Sequence, residues 1–168
     1  MIKRIMTLLG CCLSLIVGCR GGSNVVNIMD FGAVADGVTD NAKAINAAID
    51  NCSEFGGGTV SVPAGRFVSS TIYIKKGVSL RLAKDAEIVA SPDLCSYRHY
   101  EPDKDLSRYD TGVGTRNQNC ASDTVWTKAL IIAQNADGAS IKGPGIIDGG
   151  NLRNPLGEER MRGPQTVI

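Results

Sequence analysis

Residues 40–62 read Asp40-Asn41-Ala42-Lys43-Ala44-Ile45-Asn46-Ala47-Ala48-Ile49-Asp50-Asn51-Cys52-Ser53-Glu54-Phe55-Gly56-Gly57-Gly58-Thr59-Val60-Ser61-Val62. Ile45, Ala48, Ile49 and Cys52 recur at i, i+3, i+4 and i+7, which predicts a helix over about 41–55 with one apolar stripe. Asp40 stands where an N-cap belongs, because a carboxylate there accepts the free amide hydrogens of the first turn. The glycine triplet ends the helix, since glycine takes the left-handed C-cap conformation without a Cβ penalty. From Thr59 the apolar period changes to two, and a strand begins.

The period of two persists along the rest of the chain. Short alternating runs at 59–62, 71–74, 79–82, 87–90, 129–133, 139–142 and 145–148 are separated by turn residues such as Pro63-Ala64-Gly65, Lys76-Gly77 and Gly143-Pro144. Upstream, 25–31 reads as a first strand, and Asp36-Gly37-Val38-Thr39-Asp40 as a turn leading to the cap. Asp148 falls in a turn between strands. One helix among so many strands excludes an alternating α/β fold. Short strands at this spacing suit a sandwich or a solenoid, and the lone helix favours the solenoid, whose apolar end needs a cover. The expectation is an all-β solenoid with an N-terminal capping helix. Thr166-Val167-Ile168 reads as a strand just beginning, so the solenoid is expected to be truncated at its C-terminal end.

The first residues read as an address. Lys3 and Arg4 precede an apolar run over 5–17 that fits a secretory signal and falls short of the about 20 residues of a membrane-crossing helix. Leu15-Ile16-Val17-Gly18-Cys19 resembles a bacterial lipobox, which implies cleavage after Gly18 and a lipid on Cys19. The competing reading is an ordinary signal with a cysteine near its end. On the lipoprotein reading, 1–18 is the signal, 19–24 a flexible tether and 25–168 the β-helix segment, exported to the cell envelope and anchored in the outer membrane with its facing open.

Removing Lys3 and Arg4 turns the formal charge from +1 to −1, leaving no basic field for nucleic acid. The chain has 20 Gly against 3 Phe, 4 Tyr and 1 Trp, which suits tight turns and aliphatic contacts better than a bulky aromatic core. Cys52, Cys95 and Cys120 remain in the mature segment, none at metal-ligand spacing, so no metal or other cofactor is expected. A Cys95–Cys120 disulfide is conceivable in an oxidising compartment.

A polar stretch over 93–127 interrupts the strands and carries Tyr97, Arg98, His99, Tyr100, Tyr109, Arg116 and Trp126. Structureless connections longer than about 12–15 residues are uncommon and are often binding loops. A solvated insertion is the plainer alternative.

Val26-Asn27-Ile28-Met29-Asp30-Phe31-Gly32-Ala33-Val34-Ala35-Asp36-Gly37-Val38-Thr39-Asp40-Asn41 resembles the N-terminal signature of the pectate-lyase-like β-helix superfamily. Gly56-Gly57-Gly58-Thr59-Val60-Ser61-Val62-Pro63-Ala64-Gly65, Ile141-Lys142-Gly143 and Gly145-Ile146-Ile147-Asp148-Gly149 extend the likeness, and Arg162-Gly163-Pro164 is similar to an Arg-Pro stretch before the central coils of one of that superfamily's members, glycoside hydrolase family 28. Within it the chain most resembles glycoside hydrolase family 28, the polygalacturonases. The resemblance implies a right-handed parallel β-helix and metal-independent, inverting hydrolysis of a pectic polysaccharide by a protein that is monomeric at full length.

The family's chemistry lies in Asn-Thr-Asp, Asp-Asp, His-Gly and Arg-Ile-Lys motifs, and none of the four occurs in this sequence. Inversion needs a protonated carboxyl and a second carboxylate about 6.5–9.5 Å apart. No catalytic residue is therefore assigned here, and the chemistry is expected beyond residue 168. Asp36, Asp40 and Asp148 are read as turn and cap groups. Arg98, His99, Arg116 and Trp126 are the loop candidates for substrate binding, with Arg108, Lys75 and Lys76 as further cations able to meet a uronate carboxylate. A calcium-dependent polysaccharide lyase on the same scaffold and a non-catalytic glycan-binding or structural β-helix are the alternatives.

Overall fold

The computed structural model describes residues 24–98, 128–152 and the backbone of 165–167. Every strand pairing within them is parallel, and the strands fall into three sheets that the chain visits in turn. The first turn of the coil holds β1 (Val25–Asn27) and β2 (Asp36–Asp40), after which α1 (Ala42–Glu54) crosses to the second. There β3 (Gly58–Val62), β4 (Gly65–Ser69) and β5 (Ile72–Tyr73) follow one another round three corners. The third turn repeats them as β6 (Val78–Leu82), β7 (Ala86–Ala90) and β8 (Ala129–Ile132), and the fourth as β9 (Ser140–Lys142), β10 (Ile146–Asp148) and β11 (Gln165–Val167). One sheet runs β1-β3-β6-β9, the second β2-β4-β7-β10 and the third β5-β8-β11. A strand that returns beside its own predecessor in parallel does so with right-handed connections, and the molecule is a right-handed parallel β-helix.

Val60 lies beside Leu80 and Phe67 beside Ile88, and these pairs set the length of one turn. Leu80 in turn lies beside Ile141, because residues 91–128 intervene without shifting the register. Stacking at about 4.8 Å per turn places like side chains over one another inside. Val60 and Leu80, Val62 and Leu82, Phe67 and Ile88, and Ile72 and Ile131 are all buried. Each such side chain contributes about 1.5–3 kcal/mol by leaving water. On the outer faces Arg66 and Glu87, direct cross-strand neighbours, form an ion pair at 2.6 Å.

The helix covers the first coil. Ala44, Ile45, Ala48, Ile49 and Cys52 are buried, and α1 packs against β1, β3, β5, β6 and a 3-10 turn at Ile28–Phe31. Past Phe55 the chain enters the left-handed region at Gly56 and Gly57, whose amides bond back to the carbonyls of Ser53 and Cys52, both at 3.0 Å. At Gly57 glycine is required twice over. Its φ is +105°, and a Cβ would sit 2.6 Å from the Gly77 carbonyl oxygen.

Four expectations need correction. The N-cap of α1 is Asn41, not Asp40. Asp40 still serves the helix start, because its Oδ1 accepts from the Ala42 amide at 2.9 Å, but the same oxygen also accepts from Ser70 N at 2.9 Å and so ties the helix to β4. The expected strand at 25–31 stops at Asn27, whose side chain accepts from Met29 N and turns the chain into the 3-10 segment. β4 was not expected at all. Phe67, Val68 and Ser69 are buried in succession, so no alternation marks it. β2 was expected as a turn, and is short, polar and irregular in register.

Candidate functional site

The helix also has a polar face, and that face lines a groove. Lys43, Asn46 and Asp50 follow one another at i, i+3 and i+7, alongside the apolar stripe. Asn46 acts as a peptide group for the free edge of β5. Its Oδ1 accepts from Tyr73 N at 2.8 Å and its Nδ2 donates to the Thr71 carbonyl at 2.9 Å. Asp50 pairs with Lys75 at 2.8 Å, both half-exposed. Lys43, at the start of the helix, is left facing the groove.

The opposite wall comes from the segment after β7. Asp93 folds it into a tight turn by accepting from the Cys95 amide at 3.0 Å, and Tyr97 anchors it, buried and donating its hydroxyl to the Ser91 carbonyl at 2.8 Å. Burial pushes the Tyr97 phenol well above its ordinary pKa, and the nearby Asp40 carboxylate adds to the rise. The Arg98 amide then donates to Thr71 Oγ1 at 2.9 Å, while that hydroxyl donates to the Ala129 carbonyl at 2.9 Å. Thr71 therefore fixes the root of Arg98 against the coil.

The space is about 520 Å³ and open on one side, with the buried Ser70 and Thr71 and the exposed Asp40, Lys43, Tyr73 and Arg98 among its lining. Neither Lys43 nor the Arg98 guanidinium forms an ion pair or hydrogen bond with another described residue, whereas Arg66 and Lys75 each hold an acid. Asp40 Oδ1 is already engaged by two backbone amides.

Of the residues singled out in the sequence, only Arg98 of the four loop candidates lies in this groove. His99, Arg116 and Trp126 fall outside the described residues, as do Cys19, Arg108 and Cys120. Asp36 is a turn group. Its Oδ1 accepts from Val38 N and Thr39 N and its Oδ2 from Thr39 Oγ1 at 2.6 Å, and the Thr39 hydroxyl above all, with the two amides, lowers its pKa to about 2. Asp148 accepts from Gly150 N at 2.8 Å and shapes the turn after β10. Lys43, Asn46 and Tyr73 were missed, although the spacing of Lys43, Asn46 and Asp50 was visible. Among the described residues no group of three or more His, Cys, Asp or Glu side chains is placed to hold a metal ion, and no helix is long and apolar enough to cross a membrane.

Residues 25–81, the cap and the first complete coil, match the sequence profile of a family described as rhamnogalacturonase A/epimerase, pectate lyase-like. With three parallel sheets and a helix over the first turn, the chain is a parallel β-helix whose cap and first coil are similar to that family. A probable polygalacturonase of Vitis vinifera is 29% identical over 136 residues, covering 79% of this chain and 26% of the relative. The family 28 exopolygalacturonase of Yersinia enterocolitica superimposes with a TM-score of 0.59 at 30% identity, over 80% of this chain and 22% of that one. The chain's β-helix is thus similar to that of a family 28 exopolygalacturonase. The mannuronan C5-epimerase AlgE1 of Azotobacter vinelandii is 56% identical over 41 residues, which cover 24% of this chain and 3% of the relative. The chain spans about a quarter of the grapevine and Yersinia proteins.

Proposed function

We propose that the protein is a pectin-degrading glycoside hydrolase, cleaving galacturonan-type polysaccharide as polygalacturonases do, with residues 25–168 forming its capped opening coils. The observation that carries this reading is the extent of the likeness to polygalacturonases. It runs through the cap, the coils and the strands on either side of 91–128, at 29–30% identity over about four-fifths of the chain. A hydrolase of this kind works with two carboxylates on opposite sides of the scissile bond, one protonated as general acid and one activating water. Those carboxylates belong to coils C-terminal to residue 168. Lys43 and Arg98, both exposed beside the groove, suit a polymer that carries one carboxylate per sugar. Export, cleavage after Gly18 and a lipid on Cys19 would hold the enzyme at the cell envelope, where such a polymer is met.

Incubating the full-length protein with polygalacturonate tests this. Reducing ends should accumulate without ultraviolet absorbance from an unsaturated uronide and with no loss in EDTA. Absorbance that vanishes with EDTA would instead identify a calcium-dependent lyase. A second reading, uronate C5 epimerisation, is favoured by the 56% identity to the mannuronan epimerase at a single stretch. Unchanged chain length with inverted C5 configuration in the product, read by NMR, would establish it in place of hydrolysis.

A further inference from the structure

We infer that the outer face of the first turn docks on a zwitterionic lipid surface, with Val25, Met29, Val34, Val38 and Phe55 laid at the level of the headgroups. Docking of this kind rests on the lipid at Cys19 proposed above, and gives the folded cap a membrane contact of its own.

Eight large apolar side chains are exposed among the described residues, and these five all lie in the first turn or at the end of its helix. Val38 is 81% exposed, Phe55 73% and Val25 61%. Scattered single apolar residues on a surface are ordinary, but their concentration at one end of a molecule marks a contact surface. β1 and β2 are the terminal strands of their sheets, each paired on one side only, so this turn is the N-terminal end face of the solenoid. Val25 and Val38 stand on those two strands. The interior of the turn does not need them, because α1 already covers it with Ile45, Ala48 and Ile49.

The path of the chain fixes what lies opposite. It enters the fold at Asn24, whose carbonyl accepts from Thr59 N at 2.7 Å and lies against Gly58, three residues past Phe55. Val25 and Phe55 therefore flank the point of entry. Residues 19–24 alone join that point to the lipid, and fully extended they reach about 20 Å. So short a tether presents the end face to the bilayer at high effective concentration, and weak partition of a few apolar side chains into the interface is then enough to seat it.

Charge selects the kind of lipid. Between residues 24 and 56 the exposed charged side chains are Asp30, Asp36, Asp40 and Glu54 against Lys43 alone. The negative potential of an anionic leaflet repels such a face, whereas the ammonium groups of zwitterionic headgroups attract it. The contact is accordingly shallow, with the carboxylates kept in the wet headgroup layer and the apolar tips just below them.

Hydrogen exchange on the full-length lipidated protein in phosphatidylcholine vesicles tests the docking, while mass spectrometry of the N-terminal peptide reports the lipid. Amides of 25–40 and 55–58 should exchange more slowly than in a variant with about twenty Gly and Ser residues inserted after Ser23, whose longer tether lowers the effective concentration about ninefold. Amides of β9 should exchange alike in both. Combining Val38→Asp with Phe55→Asp, both at exposed positions, should abolish the difference, and so should a rising content of phosphatidylglycerol. Should the double variant fail to fold, the tether and lipid comparisons need no substitution within the fold. A lipid on Cys19 without tether-dependent protection, or protection that grows with phosphatidylglycerol, overturns the docking and leaves the anchor standing. An unmodified Cys19 sinks the anchor and the docking together. Protection of the same segments that rises with protein concentration in the absence of vesicles would assign the face to a second copy of the chain and overturn the lipid contact.

Discussion

Replacing Asn46 with Ala removes one side chain and orphans two backbone groups. The Tyr73 amide and the Thr71 carbonyl lose partners at 2.8 and 2.9 Å, and neither can be satisfied from the alanine. Thr71 is buried, so water reaches its carbonyl poorly. A lost hydrogen bond costs about 0.5–1.5 kcal/mol, and a buried group left unsatisfied about 1–3 kcal/mol. With the Tyr73 side able to recover water, the sum for this site is about 2–4 kcal/mol. Ala is the better helix former, which returns about 0.5 kcal/mol or a little more. Urea unfolding should therefore show a fall in midpoint worth roughly 2–3 kcal/mol with an unchanged slope, since the surface exposed on unfolding is the same. Lys43→Ala, one turn earlier and outside any described hydrogen bond, should stay within about 0.5 kcal/mol of wild type. Hydrogen exchange adds a local reading, with the Tyr73 amide losing protection before the core strands do. An Asn46→Ala protein as stable as the Lys43→Ala control would refute the idea that the helix substitutes for a strand at this edge.

Gly57→Ala should cost about 2–4 kcal/mol in the same assay, because it combines a left-handed backbone with a Cβ 2.6 Å from the Gly77 carbonyl; near-neutral behaviour would show that the turn relaxes freely. The Asp36 carboxyl should titrate at about 2 by NMR, against 3.8 unperturbed. A folded-state pKa below the unfolded one means that its contribution is complete above about 3.8 and is lost as pH falls through about 2. Asp36→Asn should accordingly destabilise at neutral pH and converge with wild type in strong acid, and a midpoint near the unperturbed value would remove the argument. Cys52, fully buried with its thiol pushed up by burial, should resist alkylation in the native state, while the exposed Cys95 reacts unless it is paired. Equal labelling of the two would mean that the helix does not stay seated on the first coil.

The parts of the fold that were legible are those in which one face meets water. The stripe of Ile45, Ala48, Ile49 and Cys52 and the alternation at Val78–Leu82 both write burial directly into sequence period. β4 is illegible for the opposite reason, because Phe67, Val68 and Ser69 are covered on both sides. Asp40 and Asn41 exchanged roles for a reason no local rule contains. Asn41 is buried, its Oδ1 accepting from Val34 N at 2.6 Å and its Nδ2 shared among the carbonyls of Val34, Thr39 and Val68. Val34 and Thr39 come from the stretch leading into the helix and Val68 from β4, a distant part of the sequence. The groove was hidden likewise. Arg98 stood out because it lies in a polar interruption, but Lys43 and Tyr73 join it only once coil register brings residues 43, 73 and 98 together.

The asparagine that closes the edge of β5 also bears on the order in which the molecule is made. The elements that α1 packs against most, β1, β3, β5, β6 and the 3-10 turn, lie between Val25 and Leu82, so the helix and its main seat leave the ribosome before the long connection from β7 to β8. Domains form as their chain emerges, N-terminal part first. Each later turn then needs only to add one rung to a finished template, and the sequence between β7 and β8 can lengthen or change without re-registering what was built ahead of it. Variation in glycan contacts is thereby uncoupled from assembly.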